Sequence, residues 1–159
     1  MMSIFYKNID LSAKGVWFPI TFGIVVLIFV VFMPKRLKKK EIYFTFGVVG
    51  YVALMLDIFV FATAFDVFDL GSPNTVGIGD IISYGIISPC IAIIFLNFYK
   101  QENKWIYVSI FTVISFLYEI ILVNLGYMNL HGWNSLFSIP VHIISYGLWF
   151  PLHLKLMRK

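Results

Sequence analysis

Residues 15–33 and 81–99 are two runs of 19 residues that contain no Asp, Glu, Lys or Arg. A helix rises about 1.5 Å per residue and the hydrocarbon core of a bilayer is about 30 Å thick, so each run is long enough to cross one. A third run, 136–154, holds only His142 and His153 as ionisable groups. Two more, 42–65 and 105–128, contain one acid each, Asp57 and Glu119. Each of these two also carries 13 Ile, Leu, Val or Phe residues. At roughly −0.3 to −0.6 kcal/mol apiece these outweigh the about +3 kcal/mol of one central acid on insertion scales. The expected fold class is therefore all-α, an integral-membrane bundle of five transmembrane helices in which residues 1–159 form a single domain.

The remaining composition narrows the function classes. Hydrophobic residues make up 60% of the chain and charged ones 13%, against about 25% charged in an average soluble domain. A water-facing globule would lack the polar surface it needs, and a disordered chain could not stay solvated. The apolar runs are continuous instead of alternating, which excludes a β-barrel. Cys90 is the one cysteine, so no disulfide framework exists. No nucleotide loop, nucleophile elbow, metalloprotease motif or Cys-x-x-Cys pair occurs. No cofactor, metal or nucleic-acid partner is expected, and nothing in the sequence marks an enzyme.

Orientation follows from Lys and Arg, which cytoplasmic loops retain. Lys35, Arg36, Lys38, Lys39 and Lys40 follow the first span, Lys100 and Lys104 the third, and Lys155, Arg158 and Lys159 the fifth. Ten of the 12 basic residues thus share one side. The opposite side keeps Lys7 and Lys14 beside Asp10, Asp66, Asp69 and Asp80. The N-terminus is expected outside and the C-terminus in the cytoplasm, with the first helix uncleaved. The five basic residues 35, 36 and 38–40 are candidates for anionic-lipid head groups, although topology alone explains them. Residues 66–80 read as an outer loop, and Pro89 and Pro140 as bends in the third and fifth helices. Trp17, Trp105, Trp133 and Tyr127 read as interfacial anchors, Cys90 as a packing residue, and no internal repeat is visible.

Acids in hydrocarbon are functional candidates by default. Asp57 lies nine residues before Asp66, at the outer end of its span, and Glu119 nine before Met128, the end of its own, about 13 Å below the outer surface in both cases. His142 comes to roughly 9 Å below that surface. Glu119 shares a helical stripe with Thr112, Ser115 and Gly126, and His142 with Ser135, Ser138, Ser145 and Tyr146. Small and polar neighbours of this kind are what buried helix contacts use. Tyr84 of the third helix can join them. The candidate buried polar cluster is Asp57, Glu119, His142, Ser115, Ser138, Tyr146 and Tyr84. A purely structural role explains the same residues, since a protonated acid can hydrogen-bond across helices. His131 and His153 lie at other depths and cannot complete a metal site with His142.

Trp17-Phe18-Pro19, Phe32-Met33-Pro34-Lys35-Arg36, Ile94-Phe95-Leu96-Asn97-Phe98-Tyr99, Tyr118-Glu119 and Gly132-Trp133 occur in that order. With these pieces the chain resembles an uncharacterised family of small multi-pass integral membrane proteins from spore-forming Gram-positive bacteria. The resemblance implies a bacterial plasma membrane and supplies no activity. The expectation is a plasma-membrane protein with an accessory or structural role, in contact with the lipid bilayer and with a membrane-protein partner or a second copy of itself. The alternative is a small proton- or cation-linked carrier using Asp57 and Glu119. A third reading is a membrane-embedded enzyme acting on a lipid-like substrate.

Overall fold

The computed structural model describes residues 10–58, 65, 67–71 and 77–159. The described residues form five long helices, α1 (Trp17–Phe32), α2 (Lys39–Ile58), α3 (Ile78–Phe98), α4 (Gln101–Asn124) and α5 (Ser135–Met157). The last four are each long and apolar enough to cross a membrane, whereas α1 has 16 residues. The expected first span, 15–33, is shorter for local reasons. Gly15 takes a left-handed φ of 85°, and Pro34 holds Met33 in an extended conformation, because the proline ring crowds a helical residue before it. The last part of the expected span 42–65, residues 59–64, lies outside the described residues, as do residues 66 and 72–76 of the expected loop.

Two helices begin by the same device. The Lys38 backbone N–H donates to Glu41 Oε2 at 2.8 Å, and the Gly77 N–H to Asp80 Oδ2 at 2.7 Å. An acid in the first turn thereby satisfies a free N–H and sits at the favourable end of the helix dipole. Between α2 and α3 the chain forms β1 (Phe68–Leu70), and between α4 and α5 it forms β2 (Met128–Leu130). The strands pair antiparallel with Phe68 opposite Leu130, and together they cover one end of the bundle. Basic residues gather at the other end, where Asn97 and the α1–α2 loop hydrogen-bond and Arg158 meets Glu41 at 2.8 Å.

α3 is the central helix, with Cys90, Ala92, Ile93 and Phe95 wholly buried. It can pack closely because Gly50 of α2 faces Gly85: a Cβ at Gly50 would stand 3.3 Å from the Gly85 carbonyl oxygen, the small-residue contact that buried membrane helices favour. Phe95 sits among the rings of Tyr99, Phe111, Tyr146 and Phe150 at centroid distances of 5.0 to 6.0 Å. Large apolar residues such as Ile28, Tyr51, Val113 and Leu148 cover the exposed faces, a contiguous apolar surface of a kind that soluble monomers rarely expose.

An internal repeat corrects the expectation that none is present. The pattern Ile-Ile-Ser-Tyr-Gly-x-x-x-Pro occurs at 81–89 in α3 and again at 143–151 in α5. In both copies the helix widens into a π turn, Ser83–Ile87 and Ser145–Trp149, just before the proline. A proline has no N–H and its ring collides with the carbonyl four residues back, so a wider preceding turn relieves the conflict. In α5 the widened turn therefore accompanies Pro151. Pro140, expected to bend that helix, lies in the first turn of the segment Ser138–Ile144, where the missing N–H costs little. The same 62-residue offset links Asp57 to Glu119, Asp80 to His142 and Tyr84 to Tyr146, and it links the facing ladder residues Phe68 and Leu130. After α1 the chain is thus two matching hairpins, α2–β1–α3 and α4–β2–α5, joined through their strands.

Candidate functional site

A cavity of about 240 Å³ lies between the two hairpins. All seven residues of the sequence-derived cluster, Asp57, Tyr84, Ser115, Glu119, Ser138, His142 and Tyr146, line it. They reach it from four helices because each stripe of small and polar residues turns away from the apolar outer face of its helix. The π turns contribute directly, since a widened turn shifts helix register and carries Tyr84 and Tyr146 to the cavity wall.

The first hairpin supplies Asp57, Asp80 and Tyr84. Asp57 and Asp80 are both buried, and the Asp57 carboxyl is within hydrogen-bonding reach of the Asp80 carboxyl and the Tyr84 hydroxyl. Asp80 is a correction to the sequence reading, which placed it in an outer loop. It belongs instead to the first turn of α3, one helical turn before Tyr84. That i, i+4 relation to an already suspected tyrosine was the signal that could have found it.

The second hairpin supplies Glu119, His142 and Tyr146. The hydroxyls of Ser135 and Ser138 stand near the Glu119 carboxyl, and Ser138 Oγ accepts the Trp133 indole N–H at 3.0 Å. Glu119 Oε1 and His142 Nε2 are nevertheless buried without a hydrogen-bond partner. Neighbouring hydroxyls are paired: Ser115 Oγ with Tyr146 Oη at 2.7 Å and Ser83 Oγ with Tyr118 Oη at 2.9 Å. Tyr118 also packs on Phe18 and Phe22 of α1, at 5.6 and 5.0 Å, which fixes the α4 wall.

The rim is apolar. Leu56 of α2 and Val141 of α5 line the cavity while 46% and 44% exposed. The same two helices are tied at the basic end, where Thr45 Oγ1 and His153 Nε2 lie 3.2 Å apart and Arg158 meets Glu41. The opening therefore faces sideways between α2 and α5, onto the apolar outer face of the bundle. Two carboxyl groups and no Lys or Arg line the cavity among the described residues.

Two of the expected interfacial anchors have different roles. Trp133 lines the cavity, and Tyr127, 1% exposed, is wedged against Gly79. Trp17 and Trp105 are exposed. Lys35, Arg36, Lys38, Lys39 and Lys40 all lie at the surface. Lys35 Nζ donates to the Val31 carbonyl at 2.8 Å, and the Arg36 guanidinium lies 6.0 Å from the Phe98 ring centroid. His131 approaches Asp69 at 3.4 Å. Among the described residues no group of three His, Cys, Asp or Glu side chains could hold a metal ion. No protein-family model, curated protein or solved structure matches this chain.

Proposed function

We propose that this chain is a five-span plasma-membrane protein, N-terminus outside and C-terminus in the cytoplasm, that binds a small amphipathic molecule between its two hairpins. The observation that carries the reading is the convergence of Asp57, Glu119, His142 and their hydroxyl neighbours on one cavity with an apolar side opening. A ligand entering from the bilayer would place its apolar part against Leu56 and Val141 and its polar end on the buried acids. The positive side supports the orientation, since ten of 12 basic residues belong to the end where α2 begins and α5 stops.

The contact between the buried Asp57 and Asp80 carboxyl groups favours a proton-linked carrier within this reading. Matching parallel hairpins around a shared site are also a layout that carriers use. A purely accessory role is the second reading, favoured by the way Asp57, Asp80 and Tyr84 satisfy one another without a ligand. Mass spectrometry of lipids and amphiphiles that copurify with the wild type and with Ala53→Trp separates the two, because the indole would fill the cavity. A compound enriched over bulk membrane and lost in the variant supports binding. Identical profiles from two folded proteins would sink it and leave the accessory role.

A further inference from the structure

The two hairpins present the same layout at the cavity but leave it in different states. In the first, Asp57 reaches Asp80 and Tyr84. At the corresponding places of the second stand Glu119, His142 and Tyr146. There Tyr146 is occupied by Ser115, while Glu119 Oε1 and His142 Nε2 have no partner. Glu119 is 8% exposed. An unpaired buried polar atom costs about 1–3 kcal/mol, more if charged, so this half of the cavity is incomplete on its own. Ser138, near the Glu119 carboxyl, lies one helical turn before His142. Residues four apart on a helix are neighbours about 5–6 Å apart, so one small group can meet both open atoms.

The geometry points to a primary ammonium group on an alkyl chain as the ligand of this half-site, held by Glu119 Oε1 and His142 Nε2. This inference rests on the amphiphile-binding reading above and names its chemical class. Both open atoms can accept, Nε2 when the imidazole proton is on Nδ1, so a head bearing several N–H donors fits them. Charge excludes the opposite choice. A head whose only charge is a phosphate or sulfate would face two carboxyl groups with no lining Lys or Arg to offset it, so any phosphate of the ligand must lie outward of the ammonium, away from these acids. The rings of Tyr118, Trp133, Tyr146 and Trp149 also line the space, and aromatic faces attract an organic cation, by about 2 kcal/mol or more when desolvated. The volume, about 240 Å³, suits a head with its first methylenes, while the rest of the chain leaves past Leu56 and Val141. The ammonium can belong to an aminophospholipid or to a single-chain amine.

The test uses the full chain in phosphatidylcholine nanodiscs and two photoactivatable C12 probes, a primary amine and the alcohol of equal length. Labelled residues are mapped by mass spectrometry. The expected result is labelling of α2 and α5 around Leu56 and Val141 by the amine in preference to the alcohol. Glu119→Gln should weaken competition by dodecylamine about tenfold or more while the alcohol is unaffected. Suppression by added phosphatidylethanolamine assigns the ammonium to an aminophospholipid, and persistence assigns it to a single-chain amine. Equal labelling by amine and alcohol overturns the ammonium inference but leaves the amphiphile cavity standing. Labelling of neither kind in the cavity, with the buried Cys90 thiol still protected, overturns both. The comparison of probes on the wild type decides the matter even if Glu119→Gln fails to fold.

Discussion

Replacing Asn97 by Ala should destabilise the protein severely, although Asn97 lies far from the cavity. The side chain is 1% exposed. Its Oδ1 accepts from the Arg36 and Leu37 backbone N–H groups at 2.7 and 3.3 Å, and its Nδ2 donates to the Pro34 carbonyl at 2.9 Å. One amide thus replaces the helical hydrogen bonds that the backbone between α1 and α2 cannot make. At about 1 kcal/mol per hydrogen bond, plus about 1 kcal/mol or more for the Leu37 N–H left buried and unpaired, the loss is about 4 kcal/mol. For a chain of this size that corresponds to roughly 10 °C in Tm. Cys90 supplies the assay, because it is the one cysteine and has no exposed surface. A thiol-reactive fluorophore added during heating reports unfolding without further labelling. Asn124→Ala, at an exposed position of α4, is the control and should leave Tm unchanged. A shift below about 2 °C for Asn97→Ala would refute the reasoning, since it would mean that water or an altered loop replaces all three bonds at little cost.

Three further outcomes are expected. Gly79→Ala should unfold the strand-covered end, because its Cβ would collide with the Tyr127 hydroxyl and ring; combined with Tyr127→Ala its cost should fall markedly, and simple additivity of the two in thermal melts would count against the contact. Arg158→Ala should destabilise by about 1–3 kcal/mol, because it removes the charged partner of the fully buried Glu41; Glu41→Gln in the same background should recover part of the loss, and no recovery in the Cys90 melt would argue against the pairing. In membranes carrying Cys90→Ser, Asp57→Cys with Asp80→Cys should form a disulfide faster than Asp57→Cys with Glu119→Cys, and the reverse order would contradict the separate half-sites.

Hydropathy alone located α1, α3, α4 and α5 to within four residues at each end, because the pattern that inserts a helix is local and additive along the chain; the outer end of the expected span 42–65 lies outside the described residues. It did not show that the φ of Gly15 and Pro34 set the ends of α1, and it missed that Ile78 begins a helix within the expected loop. The stripes beside Glu119 and His142 were legible for the same reason, as helical spacing fixes which residues share a face. Tyr127 and Trp133 show the limit of that logic. Their positions near predicted span ends suggested a lipid interface, yet Tyr127 is buried against Gly79 and Trp133 reaches Ser138, contacts between residues far apart in the chain or held by the strand ribbon.

The amino-acid sequence by itself determined the helices, their apolar outer faces, the basic end and the inventory of buried polar groups. It also held the repeated Ile-Ile-Ser-Tyr-Gly-x-x-x-Pro, whose meaning became apparent only when both copies formed the same widened turn. Tertiary structure decided which acid meets which partner. Asp57 and Glu119 have the same calculated depth, but depth places a residue in a layer and leaves its direction around the bundle open. The order of the helices, fixed by the β1–β2 register and the close Gly50–Gly85 packing, turned Asp57 toward Asp80 and left Glu119 and His142 with open atoms in a shared cavity. Loop length cannot specify that order, because short connections require only that consecutive helices be neighbours, whereas the partner of a buried carboxyl is set by helices that the chain visits later.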